Sequence, residues 1–575
     1  MEIRLAKTAG FCMGVRRAVD IVLDIAQHET GLHIYTYGPL IHNPQTIELL
    51  KSRGIIPVRS IEEISDRQKA VLVIRAHGIA PAERKRIKDS GIRIIDATCP
   101  KVAYVQSIIK KHTALDYAVI IVGDKEHPEV DGLLGYTRGN GITVAKVEDV
   151  EKLPALDKVC VVAQTTQDFD NYNRIIEKIN EIYPEAVVFN TICSSTEKRQ
   201  TEVMTMADKM DAIVIVGGKN SANTRRLFDL AQKQNTPAFH IETAGELNSI
   251  DIGHYKHIGI SAGASTPNWI IDRVMDKIAE NQSRRLYKLG SLLNLWLWAI
   301  KTDIYSAIGA ACLCLACMVL QKTEISLAHL AIASFFVFAM HVLNRLISPK
   351  PGGIPVSFRE ESYLKHGGIY VLAAVFSLLA ALWLAFTSGI LPFSVLFVAS
   401  GAGVLYNMKI LPAGRRFQRL KDIPGSKNIF MAVAWGTVTA ILPALSNAYG
   451  FNAGQVVAFV FTFGIVFIRS AMSDILDIQS DKLIGRETIP VLIGKGRTKI
   501  VLKFISLILL IILLISYPAG WTSSLSFILL MCVLYVWICF QLCDRKSGLS
   551  GAVIEGLLET SYIIAGFSVF LWFVL

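Results

Sequence analysis

The distribution of apolar residues divides the chain into two halves. Residues 1–281 alternate short apolar runs with polar, helix-like stretches, whereas residues 303–575 contain repeated runs of 16 to 20 mostly apolar residues. Runs near that length are what a bilayer core of about 30 Å requires of a helix. We therefore expect a globular domain over 1–281, a linker with an amphipathic lead-in over 282–302, and a membrane domain over 303–575.

The short apolar runs of the first half predict β-strands, among them Ala70–Ile74, Ala118–Val122, Val159–Ala163, Ala212–Val216 and His257–Ser261. Helix-like stretches such as Pro81–Asp89 and Asn171–Ile182 follow these runs. Strands that alternate with helices indicate parallel α/β units. Functional residues in such sheets gather at the carboxyl ends of the strands.

The second half predicts nine membrane spans, at 304–320, 326–343, 369–388, 390–406, 429–445, 455–468, 501–517, 523–540 and 552–574. The connections after the even-numbered spans hold 4, 6, 6 and 2 Lys and Arg residues, and those after spans 1, 3, 5 and 7 hold 1, 0, 0 and 0. Positive residues stay on the cytoplasmic side of a membrane. The N-terminal segment also lacks the features of a secretory signal. We therefore expect an inner (cytoplasmic) membrane protein with its first half in the cytosol.

Charge and cysteine content narrow the class further. Much of the net charge of +11 lies between the apolar runs, where membrane topology explains it, so we exclude a nucleic-acid partner. Four of the ten cysteines fall in the first half, and a reducing cytosol argues against disulfides between them. Cys160 lies in an apolar run and is expected in the core.

The other three cysteines of the first half stand in distinctive contexts: Cys12 in GFCMGV, Cys99 in DATCP and Cys193 in NTIC. Three thiolates could hold three irons of a cubane cluster and leave the fourth iron open for catalysis. Three ordinary buried cysteines are the alternative, because free cysteine is commonly buried.

Three histidines and three donor-rich loops add a second kind of chemistry. His42, His77 and His127 each stand in a turn-like setting with glycine or proline within two residues, and the loops are 164–167, 218–223 and 263–267. Imidazole, hydroxyl and amide groups are good donors to diphosphate oxygens. Ordinary turns and helix caps use the same residues and are the alternative.

The ordered set GFCMGVRRAV, GPLIHNPQ, RAHGIAP, DATCPKV, EHPEVDG, QTTQ, NTICSSTEKRQ, GGKNSANTRRL and SAGASTPNWI resembles the 4-hydroxy-3-methylbut-2-enyl diphosphate reductase (IspH/LytB) family over essentially all of 1–281. The resemblance implies three α/β lobes, trefoil-like, around a central [4Fe–4S] cluster held by Cys12, Cys99 and Cys193. It implies that the substrate's C4 hydroxyl meets the open iron. The products would be isopentenyl and dimethylallyl diphosphate.

The resemblance also assigns roles to residues of the loops. The residues implied to bind the diphosphate are His42, His77, Ser221, Asn223 and Ser265, with His127 lining the same pocket. Glu129 would be the proton source, relayed through Thr165. Many family members have Ser-Ser-Asn where this chain has Ser221-Ala222-Asn223, so one hydroxyl contact is expected to be missing. Because no flavin or nicotinamide motif is apparent, the electrons are expected from a ferredoxin- or flavodoxin-type donor.

The membrane half carries an aspartate cluster, with Asp474, Asp477 and Asp481 at spacings of three and four. On a helix these residues fall on one face, where Mg²⁺ could bridge them to a diphosphate; a salt-bridged loop is the alternative. The half resembles the UbiA-type intramembrane prenyltransferases, which carry two Asp-rich motifs on cytosolic loops. The cluster matches the second motif.

The first motif of that family is not matched. It should follow Asn344 with aspartates at steps of four, where this chain has Ser348 and Gly352, and Glu360 and Glu361 are the only acids in 344–368. Three interpretations follow. The chain is a reductase joined to a prenyltransferase with its own prenyl diphosphate and acceptor, a reductase with a non-catalytic anchor or prenyl-diphosphate-binding domain, or a protein that uses a cluster for sensing or electron transfer. The histidines and Glu129 favour the first two, because an electron carrier needs no diphosphate pocket.

Overall fold

The chain forms two compact units, Met1–Ile278 and Ala279–Leu575. The structure is a computed structural model that describes residues 2–29, 31–283, 290–347, 363, 366–408, 419–446, 452–484, 486–544 and 551–575.

The first unit contains twelve strands in three separate four-stranded sheets, all of them parallel. The strands are β1 Glu2–Leu5, β2 His33–Tyr37, β3 Ile55–Val58, β4 Ala70–Ile74, β5 Arg93–Asp96, β6 Ala118–Val122, β7 Gly141–Val144, β8 Val159–Ala163, β9 Val187–Val188, β10 Ala212–Val216, β11 Ala238–Ile241 and β12 His257–Ala262. The sheet orders are β1-β12-β10-β11, β3-β2-β4-β5 and β7-β6-β8-β9. The predicted parallel α/β units are confirmed.

Helices follow most strands of this unit. They are α1 Met13–His28, α2 Pro44–Lys51, α3 Pro81–Asp89, α4 Pro100–Thr113, α5 Pro128–Leu134, α6 Val147–Val150, α7 Phe169–Ile182, α8 Ser194–Ala207, α9 Ala222–Lys233 and α10 Asn268–Ser283. Proline or an N-cap side chain starts many of them. Pro81, Pro100 and Pro128 stand in the first turn of their helices, where the missing N–H costs nothing.

Each sheet has a fully buried strand at its centre. Every residue of β4, β8 and β10 is buried, as expected for parallel strands covered on both faces. Cys160 lies within β8 with no exposed surface, as its apolar neighbours predict. Two sheets come from continuous segments, whereas the third pairs β1 with β12 and so joins the two ends of the unit.

The second unit is helical in its described parts. Its helices are Gly290–Lys301, Ile304–Leu320, Leu327–Ile347, Gly367–Ser388, Ile390–Leu405, Ser426–Gly436 with its continuation to Leu445, Ala453–Leu476, Ile478–Ile484, Ile489–Ile493, Lys495–Ser516, Leu525–Asp544 and Gly551–Val574. They pack around one apolar cluster that includes Leu313, Phe336, Phe461 and Tyr562.

Six helices within the described residues are long and apolar enough to cross a membrane, or seven if the helices on either side of an 86° bend before Ile304 count as one span. This supports the expected membrane domain. Two of the nine predicted spans coincide with shorter apolar helices, Ile390–Leu405 and Leu525–Gln541, so the number nine stays a prediction. The predicted span 455–468 is longer than expected, because its helix runs from Ala453 to Leu476.

Candidate active site

Three cysteines stand at the N-termini of three helices in the first unit. Cys12 precedes α1, Cys99 precedes α4 and Cys193 precedes α8. The strands that come before these cysteines are β1, β5 and β9, and each belongs to a different sheet. The N-terminus of a helix carries partial positive charge, which favours the thiolate form of a nearby cysteine. All three thiols are free and partly exposed.

The backbone N–H of each cysteine donates to a loop that follows another strand of the same sheet. The N–H of Cys12 donates to Ala264 O at 3.0 Å, that of Cys99 to Ala76 O at 2.9 Å and that of Cys193 to Thr165 O at 2.9 Å. These loops contain or adjoin Ser265, His77 and Thr165. In each sheet, therefore, one cysteine is held next to a loop that carries a candidate ligand-binding or catalytic residue.

One cavity is lined by every residue that the sequence singled out in this half. These residues are Cys12, Cys99, Cys193, His42, His77, His127, Glu129, Thr165, Ser221, Asn223 and Ser265. Gly14 allows two of the helices to meet there, because a Cβ at this position would lie 2.5 Å from Cys99 Sγ. The cavity is thus shared by all three sheets of the unit.

The donor set fits a multinuclear cluster better than a single ion. Among the residues that the structure describes, no three His, Cys, Asp or Glu side chains lie close enough to share one metal ion. A cubane cluster separates its cysteine ligands because each binds a different iron. Three free thiols that come from three different helix N-termini line one cavity and match that requirement.

Three imidazole rings form a triangle beside the thiols. Ring centroids are 4.8 Å apart for His42 and His77, 6.1 Å for His42 and His127, and 5.7 Å for His77 and His127. Burial, with neighbouring positive groups, lowers the pKa of all three rings, and lowers that of His127 to about 4. The rings are therefore neutral at pH 7 in the absence of an anion.

Ring nitrogens of the triangle are available for a ligand. His127 Nδ1 accepts a hydrogen bond from Glu129 N at 3.1 Å, so its neutral ring carries the proton on Nε2. His42 Nε2 and His77 Nδ1 are buried without a hydrogen-bond partner among the described residues. Unpaired buried polar atoms are costly, and an anion in the cavity would satisfy them.

Hydroxyl and amide groups of two further loops also line the cavity. Ser221 caps α9, Asn223 lies in the first turn of that helix with its Nδ2 buried and unpaired within the described part of the chain, and Ser265 Oγ donates to His42 O at 3.1 Å. Ala222 stands between Ser221 and Asn223 and also lines the cavity. Its methyl group occupies the position at which the resemblance led us to expect a hydroxyl.

Glu129 and Thr165 form a buried pair at the cavity wall. Thr165 donates its backbone N–H to Glu129 Oε1 at 2.7 Å and its hydroxyl to Oε2 at 2.9 Å. Burial raises the pKa of Glu129, although the hydrogen bonds from Thr165 and the charge of Arg226 oppose the shift. Glu129 is 2% exposed, and this burial favours the protonated form of its carboxyl group.

Sequence reasoning missed two arginines of this site. Arg199 lines the cavity from α8, and Arg226 on α9 donates to Asp124 Oδ1 at 2.6 Å and to Thr166 O. Both lie inside motifs already quoted, NTICSSTEKRQ and GGKNSANTRRL. The sequence signal that could have identified each arginine was its position in a motif rich in small polar residues. The hydrogen-bond partners of both arginines are distant in sequence, so the motif alone does not reveal them.

The aspartate cluster of the membrane unit departs from the expected single helix. The long helix ends at Leu476, Asp477 is its C-cap, and Asp481 lies in the next helix, Ile478–Ile484. The expectation of one continuous helical face is therefore wrong. The aspartates belong to two consecutive helices.

The aspartates nevertheless stay close together and meet basic groups. Asp477 is near enough to Asp474, Asp481 and Glu555 for their charges to act on it. Lys427 Nζ lies 2.6 Å from Asp474 Oδ1, and Arg486 lies 3.9 Å from Asp481 Oδ1. Asn344 accepts a hydrogen bond from Asn407 at 2.5 Å, whereas Ser348, Gly352, Glu360 and Glu361 lie outside the described residues.

Two family models match the chain in separate regions. The description "LytB protein" matches residues 3–279, and "UbiA prenyltransferase family" matches residues 363–552. The first match covers nearly the whole first unit, and the second lies within the helical unit.

Named relatives match the first half. A 4-hydroxy-3-methylbut-2-enyl diphosphate reductase of Opitutus terrae is 42% identical over 287 residues, which cover 48% of this chain and 99% of the relative. The enzyme of the same name from Aquifex aeolicus is 42% identical over 283 residues, covering 49% of this chain and 96% of the relative. The solved reductase from Plasmodium falciparum is 29% identical with a TM-score of 0.46, over 48% of this chain and 87% of that one.

The fold and the cavity define an α/β protein with a three-cysteine site, fused to a helical membrane-type domain. Through its first half the chain belongs to the LytB family of 4-hydroxy-3-methylbut-2-enyl diphosphate reductases. Its second half contains a UbiA prenyltransferase family domain.

Proposed function

We propose that the first half reduces 4-hydroxy-3-methylbut-2-enyl diphosphate to isopentenyl and dimethylallyl diphosphate. The reaction takes two electrons and two protons, breaks the C4–O bond and releases water. The observation that carries the proposal is the single cavity in which three free thiols, three neutral histidines and a buried carboxyl group meet.

Cys12, Cys99 and Cys193 would hold a [4Fe–4S] cluster at the meeting point of three lobes, in the trefoil-like arrangement expected from the sequence. When bound, the cluster supplies electrons one at a time and a Lewis-acidic iron for the hydroxyl group that leaves. The three helix N-termini behind the thiols favour their deprotonation. Each lobe thereby contributes one ligand and one stretch of donor groups.

The histidine triangle and the loops beside it would bind the diphosphate. His42 and His77 each present an unpaired buried nitrogen within the described structure, and His127 is fixed as an Nε2–H donor by Glu129 N. The Asn223 amide adds an unpaired donor, and the hydroxyls of Ser221 and Ser265 lie on the same wall. Imidazole, amide and hydroxyl groups are donors that the diphosphate oxygens can accept from.

Glu129 would supply the proton that allows the oxygen to leave as water. Its carboxyl is buried, and its two oxygens face the backbone and the hydroxyl of Thr165. Because burial raises the pKa of Glu129, a proton is available nearer neutral pH than at an exposed glutamate. Thr165 Oγ1 would pass that proton towards the substrate oxygen.

The setting of the reaction is also part of the proposal. The electrons would come singly from a ferredoxin- or flavodoxin-type donor, and the first half would lie on the cytosolic side of the inner membrane. The distribution of Lys and Arg between the predicted spans supports that orientation.

An anaerobic assay of the full-length protein in detergent tests the reductase proposal. The protein is reconstituted with iron and sulfide, and reductant oxidation is followed with 4-hydroxy-3-methylbut-2-enyl diphosphate for the wild type, Glu129→Gln and Cys99→Ser. We expect substrate-dependent turnover that both variants lose, with the cluster retained in Glu129→Gln. A bound cluster without turnover in the wild type would overturn the proposal and favour sensing or electron transfer.

For the membrane half we propose prenyl transfer, with Asp474, Asp477 and Asp481 as the Mg²⁺ and diphosphate ligands. The supporting observation is that the three carboxylates remain close together although their helix is broken. The alternative is an anchor or a prenyl-diphosphate-binding domain, which the Lys427–Asp474 pair and the unmatched first motif favour. Transfer of a prenyl group to an added aromatic acceptor, lost in Asp477→Ala, supports the transferase; no transfer by the wild type supports the anchor.

A further inference from the structure

Arg199 is among the most deeply buried charged side chains in the described part of the first unit. It lies on α8, six positions after Cys193, and is 2% exposed. Its Nη2 donates to Gly10 O at 3.0 Å, and its Nη1 donates to Ala262 O. Burying a guanidinium is expensive, so a purely structural clamp is a costly way to join these segments.

The two carbonyl partners of Arg199 belong to the segments that hold Cys12. Gly10 lies two residues before Cys12, and Ala262 ends β12, two residues before the Ala264 carbonyl that accepts from Cys12 N. Arg199 itself projects from the helix that Cys193 caps. One side chain therefore joins the supports of two of the three thiols.

One donor of this guanidinium is unused. Arg199 Nε is buried and has no hydrogen-bond partner within the described residues, yet the side chain lines the cavity. An unpaired buried N–H calls for an acceptor in the bound state. Sulfur atoms at the centre of the cavity would be such acceptors.

The guanidinium also stays charged. Burial lowers the pKa of Arg199 to about 10, and the nearby Cys12, Glu202 and Cys193 oppose that shift. A full positive charge therefore faces two of the thiols at neutral pH. Charge and hydrogen bonds at the sulfur atoms are among the factors that set the potential of an iron–sulfur cluster.

We propose that Arg199 is a positioning residue for the cluster: it fixes the Cys12 segment against the Cys193 helix and directs a positive charge and a free N–H towards the sulfur atoms. The role rests on the proposed function only in that a cluster is bound. Its readout is the cluster itself, without substrate, so it can fail while turnover of the wild type stands.

The experiment uses the full-length protein, reconstituted anaerobically, as wild type, Arg199→Met, Arg199→Lys and Lys198→Met. Lys198 is the exposed basic neighbour on the same helix and controls for a general loss of charge. Iron and sulfide content are measured first. The ratio of reduced to oxidised cluster is then followed by paramagnetic resonance during titration with dithionite.

At the potential where the wild type is half reduced, we expect that ratio to fall in Arg199→Met, because the cluster becomes harder to reduce when a nearby positive charge and a hydrogen-bond donor are lost. Arg199→Lys, which keeps the charge, should fall less, and Lys198→Met should match the wild type. An unchanged ratio in Arg199→Met, or an equal fall in Lys198→Met, would overturn the proposal.

Loss of the cluster from Arg199→Met is also decisive. Thermal unfolding of the cluster-free proteins then separates the explanations. An unfolding midpoint equal to that of the cluster-free wild type supports a role towards the cluster. A much lower unfolding midpoint would show that Arg199 only stabilises the fold, and would overturn the proposal.

Discussion

The hydroxyl of Thr165 gives the sharpest test of how the site handles protons. It donates to Glu129 Oε2 at 2.9 Å and is the side-chain half of a two-bond contact whose other half is the Thr165 N–H. Replacing Thr165 by Val keeps the shape and the backbone bond but removes this donor. Thr165→Ser keeps the donor and is the matched control.

The size of the effect follows from the hydrogen bond. A hydrogen bond to a charged group is worth about 1.5–3 kcal/mol, and one pKa unit corresponds to about 1.36 kcal/mol. The hydroxyl stabilises the ionised carboxylate and so lowers the pKa of Glu129, against the larger effect of burial. Its removal should therefore raise the pKa of Glu129 by about one to two units.

The sign of the pH dependence is fixed by the role of the group. A proton donor must be protonated, so turnover falls as pH rises through the pKa of Glu129. In Thr165→Val the alkaline limb of kcat/KM should move to higher pH by about one to two units. If the hydroxyl also relays the proton, the maximal rate falls by about 10²- to 10⁴-fold.

The assay is substrate-dependent oxidation of a reduced viologen under anaerobic conditions, measured from acidic to alkaline pH. Thr165→Ser should keep the wild-type limb. An unmoved limb in Thr165→Val, or an equal movement in Thr165→Ser, would refute the assignment of Glu129 as the group that titrates in this limb.

Three further predictions follow from the same cavity. A bound anion raises the low pKa values of the neutral histidines, so inorganic diphosphate should bind with proton uptake and should bind more weakly as pH rises. Calorimetry in two buffers of different ionisation enthalpy measures the number of protons taken up. A value of zero contradicts this prediction. Ala222→Ser restores a cavity hydroxyl and should tighten diphosphate binding by about 1 kcal/mol, seen as a lower Kd in the same titration. Gly14→Ala places a Cβ 2.5 Å from Cys99 Sγ and should reduce the iron content per chain, whereas Gly245→Ala, whose nearest neighbour is 3.6 Å away, should not.

The sequence singled out residues of the first half that line one cavity, and it could do so because their signals are local. A cysteine before a helix, a histidine beside glycine and a serine at a helix cap each need a particular backbone within a few residues. Cys12, Ser221 and His127 are all N-cap residues whose side chains accept from the following turn. Such contacts leave a trace in adjacent positions of the chain.

Long-range contacts leave no such trace. Arg199 meets carbonyls 63 and 189 positions away, and Arg226 meets Asp124 across 102 positions. These partners meet because one sheet and its helices pack against another. The hydrophobic periodicity of the sequence does not predict that packing. The break at Asp477 is another case, since spacings of three and four fit a continuous helix.

The charges around Asp477 bear on what the membrane half does. Lys427 pairs with Asp474, and Arg469 pairs with Glu559. Asp477 itself lies within reach of the charges of Asp474, Asp481, Glu555 and Lys427. Ionisable groups at membrane depth are retained where they pair or bind a ligand. A prenyl diphosphate bound here would then share its site with Lys427, which makes the Asp477→Ala transfer assay the test that separates a catalyst from an anchor.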